Sequence, residues 1–129
     1  MKITLWELNQ SYPALMRLAA REIPKEHHKL AYFLMRVTRS AKVEIEALKD
    51  SLEDLMRACG FEPDQDGVEQ AKLDDYNERA AKFMRESECD LWGEPIGFEK
   101  VAGVVSIVPA DLAMIHWLIK DEEETATNG

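Results

Sequence analysis

The run Lys29–Cys59, KLAYFLMRVTRSAKVEIEALKDSLEDLMRAC, decides how this chain folds. Its apolar residues Leu30, Leu34, Val37, Ala41, Ile45, Leu48, Leu52, Leu55 and Cys59 recur at threes and fours, with no Pro or Gly among them. That period lays one apolar stripe along an α-helix. The spacing therefore predicts a single helix, about 45 Å long at a rise of about 1.5 Å per residue. A helix of that length and mixed propensity does not stand alone in water, so other segments or chains must cover its stripe.

Toward the N-terminus, Lys2–Leu5 reads as extended, and Thr4 with Glu7 has the spacing of a capping box at a helix start. The first helix carries its stripe on Leu5, Leu8, Tyr12, Leu15, Ala19 and Ile23, widened by Trp6 and Met16. Pro13 removes a backbone donor, so a kink or a restart after Ser11 is expected there, and Pro24 ends the helix. The short turn Ile23–Glu26 then folds the long helix back antiparallel on the first.

Toward the C-terminus, Gly60, Pro63, Asp64, Asp66 and Gly67 mark a polar turn, and Val68–Ser87 reads as a third helix. Its inward side holds Val68, Leu73, Tyr76, Ala80, Phe83 and Met84. From Glu88 to Val108 the helical pattern breaks, and the β-branched run Val101, Val104, Val105, Ile107 and Val108 predicts strands, joined by Lys2–Leu5, with Trp92, Ile96 and Phe98 closing the core. Pro109 opens a last helix reaching Lys120. The expected fold class is mainly α: an antiparallel helical hairpin with a third helix, a short extended or β segment and a short C-terminal helix. Residues 1–120 make one helical domain, and the acidic tail 121–129 is expected to be disordered.

An apolar content of 46% over 129 residues supports a real core without metal or disulfide staples. No long apolar run and no leader pattern is present, so a cytoplasmic protein with no membrane partner is expected. Cys59 sits on the apolar stripe, and with Cys89 it makes no CxxC. A net charge of -9 argues against direct grip on nucleic acid. The charge is uneven: residues 1–49 sum to +4 and residues 50–129 to -13, so attraction between the halves across the hairpin is the plainest reading.

Catalytic sets are missing: there is no HExxH, glycine-rich phosphate loop, GxSxG, CxxC pair or Glu-x-x-His. His27 and His28 are adjacent on a helix and cannot chelate one metal by themselves, and His116 lies in an apolar segment where a structural hydrogen bond is its ordinary role. Asp64-Gln65-Asp66-Gly67 opens like an EF-hand loop but meets Val68 and Asp75 where ligands are needed. No enzyme, metal or cofactor is expected. Two recognition surfaces remain. One is basic, on Lys29, Arg36, Arg39 and Lys42 of the long helix with Arg17 and Arg21 of the facing first helix, where Arg36 and Arg39 share a face suited to a phosphate or carboxylate; pairing with acids of the third helix is its bland alternative. The other is acidic, on Asp50, Glu53, Asp54, Asp64, Asp66, Asp74, Asp75 and Glu78, suited to a basic groove of a partner protein.

Lys2-Ile3-Thr4, Glu7-Leu8, Ala14-Leu15, Leu18-Ala19, Ile23-Pro24, Lys29-Leu30-Ala31-Tyr32 and the closing Pro109-Ala110-Asp111-Leu112 together resemble a family of small uncharacterised phage and prophage helical-hairpin proteins. Between Phe61 and Trp92 the chain departs from that pattern. The resemblance implies a phage or prophage origin and brings no activity and no site residues. The function expected is a non-enzymatic interaction module acting in the host cytoplasm, an inhibitor of a host defence protein working through the acidic surface. A virion or tail-assembly component, and a phosphate-ligand binder using Arg36 and Arg39, are the alternatives. The partner is a host or phage protein, and the apolar last helix is expected to be buried either inside the domain or against a second subunit, a homo-oligomer then using Leu112, Ile115, Trp117 and Ile119.

Overall fold

The longest element of the computed structural model, which describes residues 1–120, is helix α2, His28–Ala58, 31 residues without interruption. The acidic tail at 121–129 lies outside the described residues. Leu30, Leu34, Val37, Ala41 and Leu48 of the predicted stripe are buried, and Ile45, Leu52 and Leu55 pack partly buried against the same core. Gly60 ends the helix in the left-handed region at φ 96°, which lets the Phe61 N–H return to the Met56 carbonyl at 3.1 Å.

Helix α1, Leu5–Ala19, is capped as predicted: Thr4 Oγ1 accepts from the Glu7 N–H at 3.1 Å. Pro13 neither breaks nor restarts it. The carbonyl that Pro13 leaves without a donor belongs to Asn9, and both residues are exposed, so water replaces the lost bond. The helix stops at Ala19, short of Ile23, and a longer link through a 3-10 turn at Lys25–His27 leads into α2. α1 packs against α2, against helix α3 (Gln70–Glu86) and against helix α5 (Pro109–Met114), so it is the centre of the fold.

α3 starts two residues later than expected and presents Ala80 and Met84 to the core, whereas Phe83 is exposed. Strand β1, Lys2–Thr4, pairs antiparallel with β2, Glu88–Asp90, and the Leu5 N–H reaches the Ser87 carbonyl at 2.9 Å, which fixes the end of α3 to the start of α1. Beyond that joint, the second half of α2 and the first half of α3 form a two-helix arm closed by residues 59–69, with Leu48 and Phe61 buried in it and Phe61 edge-on to Tyr76 at 5.7 Å.

The last third departs from expectation. Val101 lies in helix α4, Phe98–Ala102, and the valine run forms no strand. Val101, Val104 and Val105 stand three and four apart, which suits a helical turn as well as β-branching suits a strand; Val101 and Val105 enter the core together, and the Val105 N–H bonds the Val101 carbonyl at 2.9 Å. The strands are β3, Ile96–Gly97, and β4, Ile119–Lys120, paired in parallel. The last helix ends at Met114, and a turn carries the chain to β4, where pairing with β3 holds Ile119–Lys120 extended and the Leu118 carbonyl accepts from the Ile96 N–H at 2.8 Å. Trp92 and Phe98 remain about a third exposed, at 36% and 39%, and do not close the core; Leu91 at 2%, Ile115 and Leu118 do.

Candidate functional site

The basic candidates on α2 separate in the structure. Arg36 is half-buried, donates through Nη1 to Tyr32 Oη at 2.7 Å, and stacks 4.8 Å from the centre of the Trp92 ring. Trp92 is placed by its own N–H, which donates to Ser40 Oγ at 3.0 Å. Gly93 follows at φ 93°, where an added Cβ would sit 3.3 Å from Phe33, so only glycine lets the loop close on the helix without strain. Arg39 instead lines a cleft of about 380 Å³ with Arg21, Ile23, Met35 and Thr38, and Lys42 is exposed. Arg36 and Arg39 thus engage different neighbours and do not form a fork on one ligand.

A larger cleft, about 920 Å³, opens between the first turn of α2 and the β3–α4 segment, over Leu30, Phe33, Ile96 and Val104. Its rim alternates Lys29, Lys100 and Lys120 with Glu26, Glu94 and Glu99, which cancels its charge apart from His27 and His28. His116 is exposed on the turn after α5, with Nδ1 3.2 Å from the Ala113 carbonyl oxygen. Among the described residues no three His, Cys, Asp or Glu side chains group so as to hold a metal ion.

The acidic candidates divide by element. Asp64 and Asp66 are exposed in the loop at the tip of the arm. On α3, Asp74 accepts from Gln70 Nε2 at 2.9 Å, Asp75 pairs with Arg79 at 3.2 Å, and Glu78 is exposed. α3 as a whole carries four acids and four bases. Outside α3 the acidic excess divides between residues 87–129, nine acids against two bases, and residues 44–69, likewise nine against two, net -7. The only ion pairs within that stretch, among the described residues, run from Arg57 to Asp54 at 3.2 Å and to Glu62 at 3.0 Å; the Glu62 hydrogen bond holds the Arg57 guanidinium further above its usual value.

Attraction between the basic and acidic halves is thinner than their charges imply. Among the described residues two pairs join them: the Met1 amino group with Asp90 at 3.2 Å, and Arg17, whose Nε donates to both Asp111 carboxylate oxygens at 3.2 and 3.0 Å. Arg36, Arg39 and Lys42 make no ion pair with α3 there. The oligomer alternative for the last helix is corrected as well. Ile115 and Ile119 are 0% and 5% exposed in the chain's own core, and Trp117 turns inward so that its indole N–H donates to Ser11 Oγ at 3.0 Å.

Burial also sets the thiols. Cys89 is buried beside Glu44 and Asp90, which pushes its pKa up to about 11, and partial burial near Asp75 raises Cys59. No helix among the described residues is long and apolar enough to cross a membrane. No protein family, curated protein or solved structure matches this chain. Sequence reasoning missed the Ser11–Trp117 bond, the Trp92 platform for Arg36 and the Arg17–Asp111 bridge. Each joins positions more than fifty residues apart, and only the acid at Asp111 next to Pro109 marks its site locally.

Proposed function

We propose that this chain is a non-enzymatic interaction module of phage or prophage origin, whose acidic arm occupies a basic groove on a host protein. The observation that carries the reading is the net charge of -7 on residues 44–69, set on the arm and not paired, among the described residues, with the basic half of the chain. A long-range field of one sign speeds encounter with a partner of the other and disfavours wrong partners. Residues of the arm without a pairing role in the fold, Asp64, Asp66 and Glu78 first, would meet that partner. The resemblance of the flanking segments to small phage proteins supports the origin, and small size, net acidity and the missing catalytic sets support the role against a host defence protein. The test is a pull-down from host lysate with the intact chain and with Asp64→Lys/Asp66→Lys/Glu78→Lys, at low and high salt. A partner held at low salt, released at high salt and lost with the reversed charges is the expected result. Equal capture by both proteins at both salt concentrations overturns the reading.

A further inference from the structure

α2 is bipolar along its length. From Lys29 to Val43 it carries four cations and no acid, and from Glu44 to Ala58 five acids and two bases. The helix spans residues 28–58, so its midpoint is Val43, which at 65% is the most exposed large apolar side chain among the described residues. At about 100° per residue, Tyr32, Arg36, Arg39, Glu46 and Asp50 all fall within about 60° of Val43 on the side turned away from Leu34 and Leu48. The outward face thus carries an exposed valine at the point where the charge of the helix changes sign.

We propose that two copies of this chain associate through these outward faces, antiparallel, about a two-fold axis passing Val43. Such a contact is self-complementary: whatever residue i meets on its partner, the partner's copy of i meets on the first chain. With the axis at Val43, positions summing to about 86 face each other. The two valines meet at the centre and Arg39 meets Glu46 on the same flank, twice; Arg36 and Tyr32, opposite Asp50 and Asp54 in this register, already hold each other and the Trp92 ring, which marks the edge of the contact. The one clash of like charge sets Lys29 opposite Arg57, and Arg57 already holds Asp54 and Glu62. A parallel pair would lay Arg36 and Arg39 on their own copies, so the charge order selects the antiparallel arrangement. Arg39 and Lys42 make no ion pair within the described chain, which leaves them free for the partner. The contact draws Glu46, Asp50 and Asp54 out of the acidic stretch 44–69, whereas Asp64, Asp66 and Glu78 stay outside it, so reversing those three tests the acidic-arm reading without touching the dimer.

A strip about 46 Å long and roughly 10 Å wide is at the small end of specific interfaces, so the dimer belongs in the micromolar range and weakens with salt. Sedimentation of the full chain from micromolar to millimolar concentration at low salt tests it. The expected mass rises to twice 14.8 kDa. Arg39→Glu should weaken association by about tenfold or more, from two lost pairs and two new repulsions, and Arg39→Glu with Glu46→Arg should restore it. In a Cys59→Ser background, Val43→Cys should cross-link on mild oxidation, whereas Ser51→Cys, about 24 Å from its copy in this register, should not. A chain that stays monomeric, a dimer indifferent to Arg39→Glu, a double reversal that does not recover, or equal cross-linking at 43 and 51 overturns the proposal. So does a monomer that docks a different protein on this face.

Discussion

Ser11 shows how much one polar atom can decide in a small core. It is 1% exposed, donates to the Glu7 carbonyl at 2.6 Å and accepts the Trp117 indole N–H at 3.0 Å, so its hydroxyl serves both its own helix and the distant C-terminal turn. Ser11→Ala should cost about 1 to 3 kcal/mol, because the indole N–H is left inside without an acceptor. Urea denaturation checks this, and in a Trp117→Phe background the same substitution should cost much less, since no donor then remains to be orphaned. A cost that persists undiminished would assign the loss to α1 alone. Of the apolar stripe read from the sequence, Leu5, Leu8 and Leu15 are buried and Tyr12 packs partly buried on the core, but the buried face also takes in Ser11, Ala14 and Leu18. That widening was not legible at Ser11 because the residue is polar, and its partner stands 106 positions away.

Elements whose covering lies close in sequence were legible, and those that depend on distant competition were not. α2 and the Thr4 cap follow from local spacing and local chemistry, and both stand where the spacing put them. The valine run and the last helix went otherwise because tertiary contacts chose between two locally acceptable conformations: pairing with β3 holds Ile119–Lys120 extended, and Val101 and Val105 share one buried turn. Among the basic candidates, the spacing of Arg36 and Arg39 was legible and so was Arg21 of the facing segment beside Arg39, but Trp92 was not, since it reaches Arg36 from a loop 56 positions away. The same distinction divides α2 itself. Its first half is covered by α1, with Leu30, Leu34, Val37 and Ala41 buried, whereas past residue 44 only Leu48 is. Few buried contacts make for low-energy local opening. Backbone amides of residues 46–58 and 70–78 should therefore exchange with solvent at least about tenfold faster than those of residues 32–44, a difference of roughly 1.4 kcal/mol in opening free energy. Hydrogen exchange followed by mass spectrometry reads this directly, and uniform protection along α2 would contradict it.

At the scale of the whole molecule, the chain is closed by a bridge between α1 and α5. Arg17 and Asp111 are 94 positions apart, and the paired geometry holds the Asp111 carboxyl below the usual carboxylate range, first through the hydrogen bonds from Arg17 and then through the charges of Arg17 and Arg21. A carboxylate with a lowered folded pKa contributes stability above its unfolded value, near about 3.9, and loses it as pH falls through the folded value. The contribution is therefore complete at neutral pH and gone in strong acid. Asp111→Asn should lower the urea midpoint at neutral pH, and the gap from the parent chain should narrow steadily below about pH 4. The comparison between the two proteins isolates this bridge from the wider effect of acid, which takes the chain from a net charge of -9 through neutrality near pH 4.8 to a growing positive charge. A gap that stays constant from neutral pH into strong acid would mean that Asp111 acts through packing at the start of α5 and not through its charge. Arg17→Met separates the two roles further, because it keeps the stem that lies along α1 and removes only the guanidinium; it should reproduce the neutral-pH loss and the same narrowing in acid.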